Sequence, residues 1–547
     1  MITMILLVSV IVLGSGYIFY GRFLDRQFNI DPARRPPSQT EYDGIDRVPA
    51  HPAVLLGHHF SSIAGAGPIV GPIIAAAAFG WLPALLWILI GSIFIGGVHD
   101  YASLVASIRH HAHSIAEITK NYVNPLAYKL MLLFIWLCLV YVITVFTDMT
   151  AGTFVQNGGV ATSSLLFIIL AIGFGYNVVH TKMAVWKSSV IFIPLVFAVI
   201  WIGQLIPIQP DAMAWIPGLS PAKIWSLILI IYCFAASITP VWILLQPRDY
   251  LSSYLLYASI LIGFIGILFG GLTLSYPAFI GWDVAGVGSL FPILFITIAC
   301  GACSGFHSLI ASGTSSKQLS SEKDARLIGY GAMLIEALVA IIALSTLMIL
   351  PWGSASAGKP PLEIFSRGIG HFMNLLGIPV QVGYAFGLLS LSTFILTSLD
   401  SGTRIGRYVV EEFFDLKIKG SRYPATLISL ILPTILLLIT LHDEKGNPIP
   451  VWKAIWPVFG STNQLLAGIA LLVILIWLKK TNRRWWYIAF PLVFMIGMTV
   501  WSLFILLQQS QLPIIHTIAI ILLILTAILV IESIRTILKP DLPKTTT

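Results

Sequence analysis

Charged side chains are scarce in this sequence, and their scarcity excludes a soluble globular protein. Of 547 residues only 10% are Asp, Glu, Lys or Arg, whereas 57% are hydrophobic, and the mean hydropathy is +0.91. Soluble domains carry about 25% charged residues. The four cysteines, at positions 138, 233, 300 and 303, all fall inside apolar runs, so no disulfide framework is predicted. The composition therefore indicates a membrane protein.

Several motifs that would carry enzymatic chemistry are also missing. The sequence holds no G-x-x-x-x-G-K-[ST] loop, no H-E-x-x-H and no G-x-S-x-G, which argues against an ATPase, a zinc protease and a serine hydrolase. No connecting segment is long enough for a soluble signalling domain, which argues against a sensor. No cofactor is predicted. A secondary active transporter is the leading hypothesis, and a non-transporting intramembrane enzyme is the alternative.

Fifteen apolar runs are long enough to be membrane-spanning helices, so the predicted fold is an all-α polytopic membrane protein. The first run lacks a basic start and a small-residue cleavage site, and it therefore reads as a retained span rather than a signal peptide. The predicted spans are 2–20, 53–78, 82–107, 126–150, 161–181, 186–206, 222–246, 251–275, 287–313, 326–350, 379–400, 424–441, 452–478, 486–507 and 513–535.

Positive charge alternates along this list of spans. Of the 31 Lys and Arg residues, 26 lie in the odd-numbered connecting segments and the C-terminal tail. Basic loops stay in the cytoplasm, so the pattern predicts an external N-terminus and a cytoplasmic C-terminus. A net charge of +8 would suggest nucleic acid as the partner of a soluble protein. Here the basic residues are spread over loops, so anionic lipid is the predicted partner instead.

Two spans carry helix-breaking residues at mid-depth. The second holds Ala64-Gly65-Ala66-Gly67-Pro68 and the seventh holds Ser237-Ile238-Thr239-Pro240. Each is also compatible with an ordinary proline kink. Their separation by five spans gives them opposite directions, which predicts an inverted repeat of five plus five helices with the substrate site between the breaks. The predicted division is 1–52 as peripheral helix and connector, 53–206 and 222–400 as the two repeats, and 424–547 as additional C-terminal helices.

The broken spans supply the predicted substrate site. A helix that restarts after a break presents free N–H groups and a positive dipole end, which suit a carboxylate. Serine and threonine hydroxyls nearby offer further contacts, although such hydroxyls often bond their own helix. The predicted substrate-binding residues are Ser61, Ser62, Ala64, Gly65, Ala66, Gly67, Ser237 and Thr239.

Titratable residues inside the spans are candidates for coupling a cation to transport. His307 shares span 9 with Ser304 and Ser308, which lie one turn apart on one helix face. Glu336 lies mid-way along span 10, Asp100 in the inner half of span 3 and Asp148 near the external end of span 4. A structural role is the alternative for each. Cys300-x-x-Cys303 with His307 has half the pattern of a metal site, but small residues there favour helix packing, and no metal is predicted.

Charged residues near the predicted cytoplasmic ends are candidates for gating. His58 and His59 precede the first break, and adjacent positions point about 100° apart on a helix, a poor geometry for a metal pair. Arg248 and Asp249 lie in the turn between spans 7 and 8 and are expected to pair with loop 314–326. They are also explained by topology alone. Asp400 is expected to form a cytoplasmic ion pair with nearby Arg404.

At these segments the chain resembles the carbon starvation protein A (CstA) family of bacterial inner-membrane transporters. The resemblance runs in order through most of residues 50–470. The matching stretches are His51-Pro52, His58 to Pro68, Gly97 to Asp100, Ser237 to Trp242, Leu245 to Leu251, Ser304 to Ser308, Gly313 to Gln318, Asp324 to Arg326, Ile328 to Gly331, Asp400 to Arg404 and Asn463 to Ala467.

The resemblance implies uptake of small carbon and nitrogen sources, peptides or pyruvate, on nutrient limitation. It implies the bacterial inner membrane as location and a cation gradient, of protons or alternatively of sodium, as the driving force. It also implies a LeuT-like fold, in agreement with the five-plus-five prediction. In that fold the helix corresponding to span 9 helps to form a cation site with the first broken helix. A sodium ion would then be held by carbonyls of span 2 with Ser304 and Ser308.

Overall fold

The computed structural model describes residues 1–538 except 45, 182, 210–215, 417, 419, 443–445 and 510–512. The helices are α1 Ile2–Phe28, α2 Pro37–Thr40, α3 Pro52–Ile63, α4 Gly67–Phe79, α5 Trp81–Arg109, α6 Ile115–Tyr122, α7 Pro125–Gln156, α8 Gly158–His180, α9 Val185–Leu205, α10 Pro221–Ile238, α11 Leu245–Phe269, α12 Leu290–Thr297, α13 Gly305–Ile310, α14 Glu322–Met348, α15 Pro361–Asn374, α16 Val380–Phe413, α17 Arg422–Leu438, α18 Val451–Lys480, α19 Trp486–Gln509 and α20 Pro513–Leu538. Two antiparallel hairpins pair β1 Asp283–Val284 with β2 Gly288–Ser289, and β3 Leu441–His442 with β4 Pro448–Ile449.

The predicted all-α polytopic fold is confirmed. Twelve of the described helices are long and apolar enough to cross a membrane, and α3 with α4 forms a thirteenth candidate that is bent by 43°. The two remaining predicted spans correspond to α17, which has 17 residues, and to the pair α12 and α13. Fifteen crossings therefore stay a prediction. The predicted C-terminal unit ends in residues 539–547, which lie outside the described part of the chain.

The first break is present where the sequence predicts it. Helix α3 ends at Ile63, and Ala64 has a non-helical backbone with φ −78° and ψ 59°. Helix α4 restarts at Gly67, with Pro68 in its first turn. Proline suits this position because the first helical N–H groups have no partner within the helix. The break therefore follows directly from the Ala-Gly-Ala-Gly-Pro sequence.

The second predicted break is wrong. Residues 222–246 do not form one kinked span, because α10 ends at Ile238 and Thr239 is extended, with φ −78° and ψ 142°. Helical geometry is disfavoured for a residue before proline, and at Pro240 the helix α10 ends instead of continuing through a kink. The second interruption lies in residues 298–304, between α12 and α13, within the predicted continuous span 287–313. The pair of broken spans is thus the second and the ninth.

The loops rich in Lys and Arg pack together at one end of the helices, here named the basic face. The connector after α1 lies across the loop after α13, where the Ala50 N–H donates to the Gln318 carbonyl. Glu322 is buried there, with Arg34 Nη1 at 3.1 Å and the Arg109 side chain as a second cation. The predicted connector is therefore an ordered part of this face.

The connection between α14 and α16 lies on the face opposite the basic face and contains the helix α15. One side of α15 faces inward, since Phe365, Ile369 and Phe372 are almost fully buried. An amphipathic helix of this kind packs its apolar stripe against the bundle and leaves its polar stripe outside.

Candidate substrate and coupling site

The two interrupted spans meet at Gly67 and Cys300. A Cβ atom placed on Gly67 would overlap the Cys300 side chain, and one on Gly71 would overlap the Thr297 carbonyl. The start of α4 therefore touches the non-helical segment 298–304 directly. Glycine is needed at both positions because the backbones approach this closely.

The first break exposes hydrogen-bond donors. Within the described chain, the N–H groups of Ala66 and Gly67 make no backbone hydrogen bond, whereas Val70 N donates to Ala66 O at 2.9 Å. The N-terminus of a helix of 13 residues presents such groups with a partial positive charge. This arrangement suits a ligand carboxylate.

Helix α16 forms the wall opposite the first break. The Ser398 hydroxyl donates to the Ser62 carbonyl at 2.8 Å, and the Ser62 and Ser401 hydroxyls are 3.2 Å apart. A Cβ on Gly65 would lie 2.8 Å from Ser398 Oγ and 3.0 Å from the Phe146 ring. The predicted residues Ser62, Ala64, Gly65, Ala66 and Gly67 are thus brought to one place, and α7 and α16 line it.

The predicted substrate residues Ser237 and Thr239 lie elsewhere. The Ser237 hydroxyl is 3.2 Å from that of Thr426 on α17, and the Thr239 hydroxyl donates to the Ala235 carbonyl at 2.7 Å. Arg404 and Arg407 of α16 donate to carbonyls at the end of α10. Cations at a helix C-terminus stabilise its free carbonyls and its dipole. The end of α10 is therefore a capped helix terminus rather than a partner of the first break.

Two histidines before the first break have different partners. His58 Nδ1 is 2.7 Å from Asp249 Oδ2, and both side chains are fully buried. His59 Nδ1 is 2.7 Å from the Ser315 hydroxyl, in the π-helical turn Ala311–Ser315 that follows α13. The Ser61 hydroxyl donates to the Asp249 carbonyl at 3.0 Å. His58 and His59 thus tie α3 to α11 and to the second broken span.

Arg248 pairs with Asp400, which corrects two sequence-based expectations. Its guanidinium contacts Asp400 on α16 and donates to the Thr397 hydroxyl at 2.9 Å, not to loop 314–326. Tyr232 of α10 donates to Asp400 at 2.7 Å. Asp400 therefore binds Arg248 rather than Arg404. Pairing in the low-dielectric interior keeps both charges satisfied.

Three of the predicted coupling residues form one buried cluster. His307 Nδ1 lies 2.8 Å from Asp100 Oδ2, and His307 Nε2 lies 3.4 Å from Glu336 Oε2. His99 Nδ1 is 2.7 Å from the other Asp100 oxygen. All four side chains are buried, and the Ile63 carbonyl at the end of α3 faces the His307 ring. An imidazole between two carboxyl groups can accept and release a proton next to the first break.

Ser304, Ser308 and Asp148 are engaged in other contacts. The Ser304 hydroxyl and the Asn463 side chain are hydrogen bonded at 2.9 Å, and the Ser308 hydroxyl donates to the Gly305 carbonyl at 2.7 Å. Asp148 accepts the Trp452 N–H at 2.9 Å. That N–H belongs to the first turn of α18, where an anion stabilises the helix dipole.

Asn463 and Gln464 of α18 are site residues that the sequence reasoning missed. Asn463 Oδ1 accepts the Phe306 N–H at 2.8 Å, and Gln464 Nε2 donates to the Cys303 carbonyl at 2.9 Å. They satisfy backbone groups that the second interruption leaves without helical partners. The sequence carries a signal for them, since two side-chain amides inside an apolar run require polar partners at mid-membrane depth.

A buried polar site at two facing helix interruptions, in a bundle of apolar spans, is the arrangement of a membrane transporter. The family model "Carbon starvation protein CstA" matches residues 1–359 and 353–502. The chain belongs to the carbon starvation protein CstA family.

Named relatives support this assignment. The chain is 32% identical to the pyruvate/proton symporter BtsT of Escherichia coli K12, with 91% of this chain and 81% of the relative covered. It is 31% identical to the peptide transporter CstA of the same organism, over 88% of this chain and 77% of that one. It is 32% identical to the peptide transporter CstA of Campylobacter jejuni, over 89% and 78%.

The H236A mutant of the Eremococcus coleocola manganese transporter aligns with a TM-score of 0.47 at 14% identity, covering 90% of this chain and 99% of that one. The relatives by sequence are transporters and not enzymes. The prediction of a transporter rather than an enzyme is confirmed at the level of the family, as is the predicted resemblance.

Proposed function

We propose that the protein is a secondary active transporter that imports a small carboxylate-bearing nutrient, a peptide or pyruvate, by proton symport under carbon limitation. The contact between the two helix interruptions, with the His307 cluster beside it, carries this proposal. Its relatives named as a pyruvate/proton symporter and as peptide transporters supply the substrate classes.

The substrate carboxylate binds at the start of α4 in this proposal. The free N–H groups of Ala66 and Gly67 receive it, and the Ser62, Ser398 and Ser401 hydroxyls supply neutral contacts. Binding to a helix N-terminus requires no compensating cation, because the aligned peptide dipoles provide the positive potential. The rest of the substrate lies between α7 and α16.

The coupled proton resides in the cluster of His307, Asp100 and Glu336. His307 comes from the second broken span, Asp100 from α5 and Glu336 from α14, so rearrangement of the second break changes their surroundings. Protonation is thereby linked to substrate binding through the Ile63 carbonyl and the start of α4. Sodium is the second candidate ion, and the Ser304 and Ser308 hydroxyl oxygens, which hydrogen bond to Asn463 and Gly305, would be among its ligands.

Orientation and repeat organisation follow from the same proposal. The basic face is cytoplasmic, which places the N-terminus outside and the protein in the bacterial inner membrane. The repeats pair α3 and α4 with α12 and α13, seven spans apart and so of opposite direction. Each break is followed by a helix with a π-helical turn (Ser92–Gly96, Arg326–Gly331), a short amphipathic helix and a long helix of 32 or 34 residues.

Proteoliposome transport tests the proposal. Purified protein is reconstituted, and uptake of labelled dialanine and pyruvate is measured with pH and sodium gradients imposed separately. We expect a pH gradient to drive accumulation. His307→Ala should lose accumulation but keep counterflow exchange, because exchange needs the loaded carrier to reorient and no net proton movement. Exposed His180→Ala is the matched control.

The competing outcomes are distinct. Accumulation that survives in His307→Ala and fails in Glu336→Gln would move the proton to Glu336. Survival in both, together with dependence on a sodium gradient, would contradict proton coupling. Absence of both uptake and counterflow in the unaltered protein would contradict the proposed substrate classes.

A further inference from the structure

A polar cavity lies at the basic face, apart from the site at the first break. It has a volume of about 220 Å³ and is enclosed by α6, α7, α16 and the π-helical turn after α13, with the connector after α1 at its mouth. Its wall carries ionisable side chains of both signs, from Arg47, Lys317, Glu117 and Glu412. We name it the basic-face cavity.

Two of these charged side chains already have ionic partners, since Arg47 Nε lies 3.6 Å from Glu41 Oε2 and Glu117 lies beside His113, whereas Glu412 and Lys317 have none among the described residues. Glu412 accepts a hydrogen bond from the Ser114 hydroxyl at 3.2 Å, and Lys317 lies 4.3 Å from the centre of the Tyr408 ring. Within the described part of the chain, neither forms an ion pair at 4 Å or less. A charged group held in a concave wall without an opposite charge favours a ligand that brings one.

The neighbouring His113 does not add a further positive charge to the cavity. His113 Nδ1 is 3.3 Å from Glu117 Oε1, and burial is the largest influence on this imidazole and lowers its pKa. His113 therefore adds no third cation, and the lining holds two basic and two acidic side chains. A simple anion would meet the cations and be repelled by the glutamates, whereas a zwitterion satisfies both signs.

The cavity lies on the far side of the helices that line the substrate site. Leu309 and Ile405 belong to its wall, and both are at most 5% exposed. One helical turn away, Phe306 lies 3.6 Å from a Cβ built on Gly402. A thin apolar barrier of Phe306, Leu309 and Ile405 therefore separates the cavity from the first break and the His307 cluster.

We propose that the basic-face cavity is a second binding site on the exit route, and that it takes an α-amino acid or a peptide end as a zwitterion. Glu117 and Glu412 bind the ammonium group, and Arg47 and Lys317 bind the carboxylate. The proposal rests on the proposed transport function and selects peptides over pyruvate within it. Pyruvate carries no ammonium group to balance the two glutamates.

Equilibrium binding to purified protein in nanodiscs tests this assignment without requiring transport. We expect labelled dialanine to occupy two sites on the unaltered protein. Glu412→Gln should weaken one of them about tenfold or more, since hydrogen bonds to charged groups contribute about 1.5–3 kcal/mol. Glu363→Gln, at the opposite face beside Arg367, is the matched control. Labelled pyruvate should bind at one site, unaffected by Glu412→Gln.

A variant of the first site separates the two sites. Gly67→Val should abolish dialanine binding at the break and leave binding at the basic-face cavity, which Glu412→Gln then removes. A single site on the unaltered protein, or two sites unaffected by Glu412→Gln, would overturn the assignment. Pyruvate occupying the Glu412-dependent site would overturn its zwitterion selectivity. Failure of dialanine and pyruvate transport in proteoliposomes would instead contradict the proposed function.

Discussion

Gly67 of the first interrupted span and Cys300 of the second are in direct contact, with no room for a β-carbon on the glycine. This contact fixes how closely α4 approaches segment 298–304. It also places the free N–H groups at the start of α4 beside the non-helical segment 298–304 of the second broken span. The two breaks thus form one site rather than two separate kinks.

Gly67→Ala should therefore abolish transport while the protein still inserts. The added methyl group overlaps the Cys300 side chain. Relief of this overlap requires α4 or segment 298–304 to shift, which changes the geometry of the site. Uptake in proteoliposomes should fall at least tenfold. Gly152→Ala on α7, where a Cβ meets nothing within 4 Å, is the matched control. Cys300→Gly in the Gly67→Ala background should restore part of the activity, and no rescue would argue against this contact as the cause.

The sequence was sufficient to predict twelve long apolar spans and the first break, because hydropathy and the Gly-Pro pattern are local signals. It was not sufficient for the second break. Residues 298–304 hold no proline, and their departure from helical geometry depends on Asn463 and Gln464, more than 150 residues away. Pro240 gave a strong local signal, but a proline ends a helix as readily as it kinks one. Tertiary packing decides whether the helix ends or kinks. Here the helix ends, and Arg404 and Arg407 donate hydrogen bonds to the carbonyls at its C-terminus.

In the candidate site, individual residues could be predicted from the local sequence, but contacts between distant spans could not. Gly65, Gly67 and His307 were identifiable because glycine at a break and histidine at mid-depth are unusual in apolar spans. Their partners were not, since the pairs His307 with Asp100 and Arg248 with Asp400 join spans far apart in sequence. The Arg248 partner was predicted wrongly because a charge in a short turn is equally consistent with a loop contact.

Removing one member of the Arg248–Asp400 pair should destabilise the protein. Asp400→Leu leaves a buried guanidinium without its carboxylate, and such changes cost about 3–5 kcal/mol. The thermal unfolding midpoint in detergent should fall clearly. Arg248→Leu with Asp400→Leu should be more stable than either single variant, because no buried charge is then unpaired. Arg367→Leu, whose side chain is exposed beside Glu363, provides the control for loss of a surface pair. Equal midpoints for single and double variants would contradict the pairing.

Asn463→Ala should loosen the second break. The substitution removes the acceptor of the Phe306 N–H and the partner of Ser304, and each buried group left unsatisfied costs about 1–3 kcal/mol. We expect faster hydrogen exchange of peptides covering 298–306 and reduced transport. Asn374→Ala, at the exposed end of α15, is the control. Unchanged exchange in 298–306 would show that Asn463 does not hold this segment.

The orientation of the basic face is tested by cysteine labelling. The native cysteines 138, 233, 300 and 303 are buried, so an impermeant maleimide should report introduced residues alone. Tyr42 in the connector is 64% exposed, and Ala355 is exposed in the loop at the other end of α14. Tyr42→Cys should be labelled only after the cells are permeabilised, and Ala355→Cys in intact cells. The opposite pattern would contradict the assigned orientation. The connecting segments and tail that hold 26 of the 31 basic residues would then lie outside the cell, against the rule that keeps basic loops in the cytoplasm.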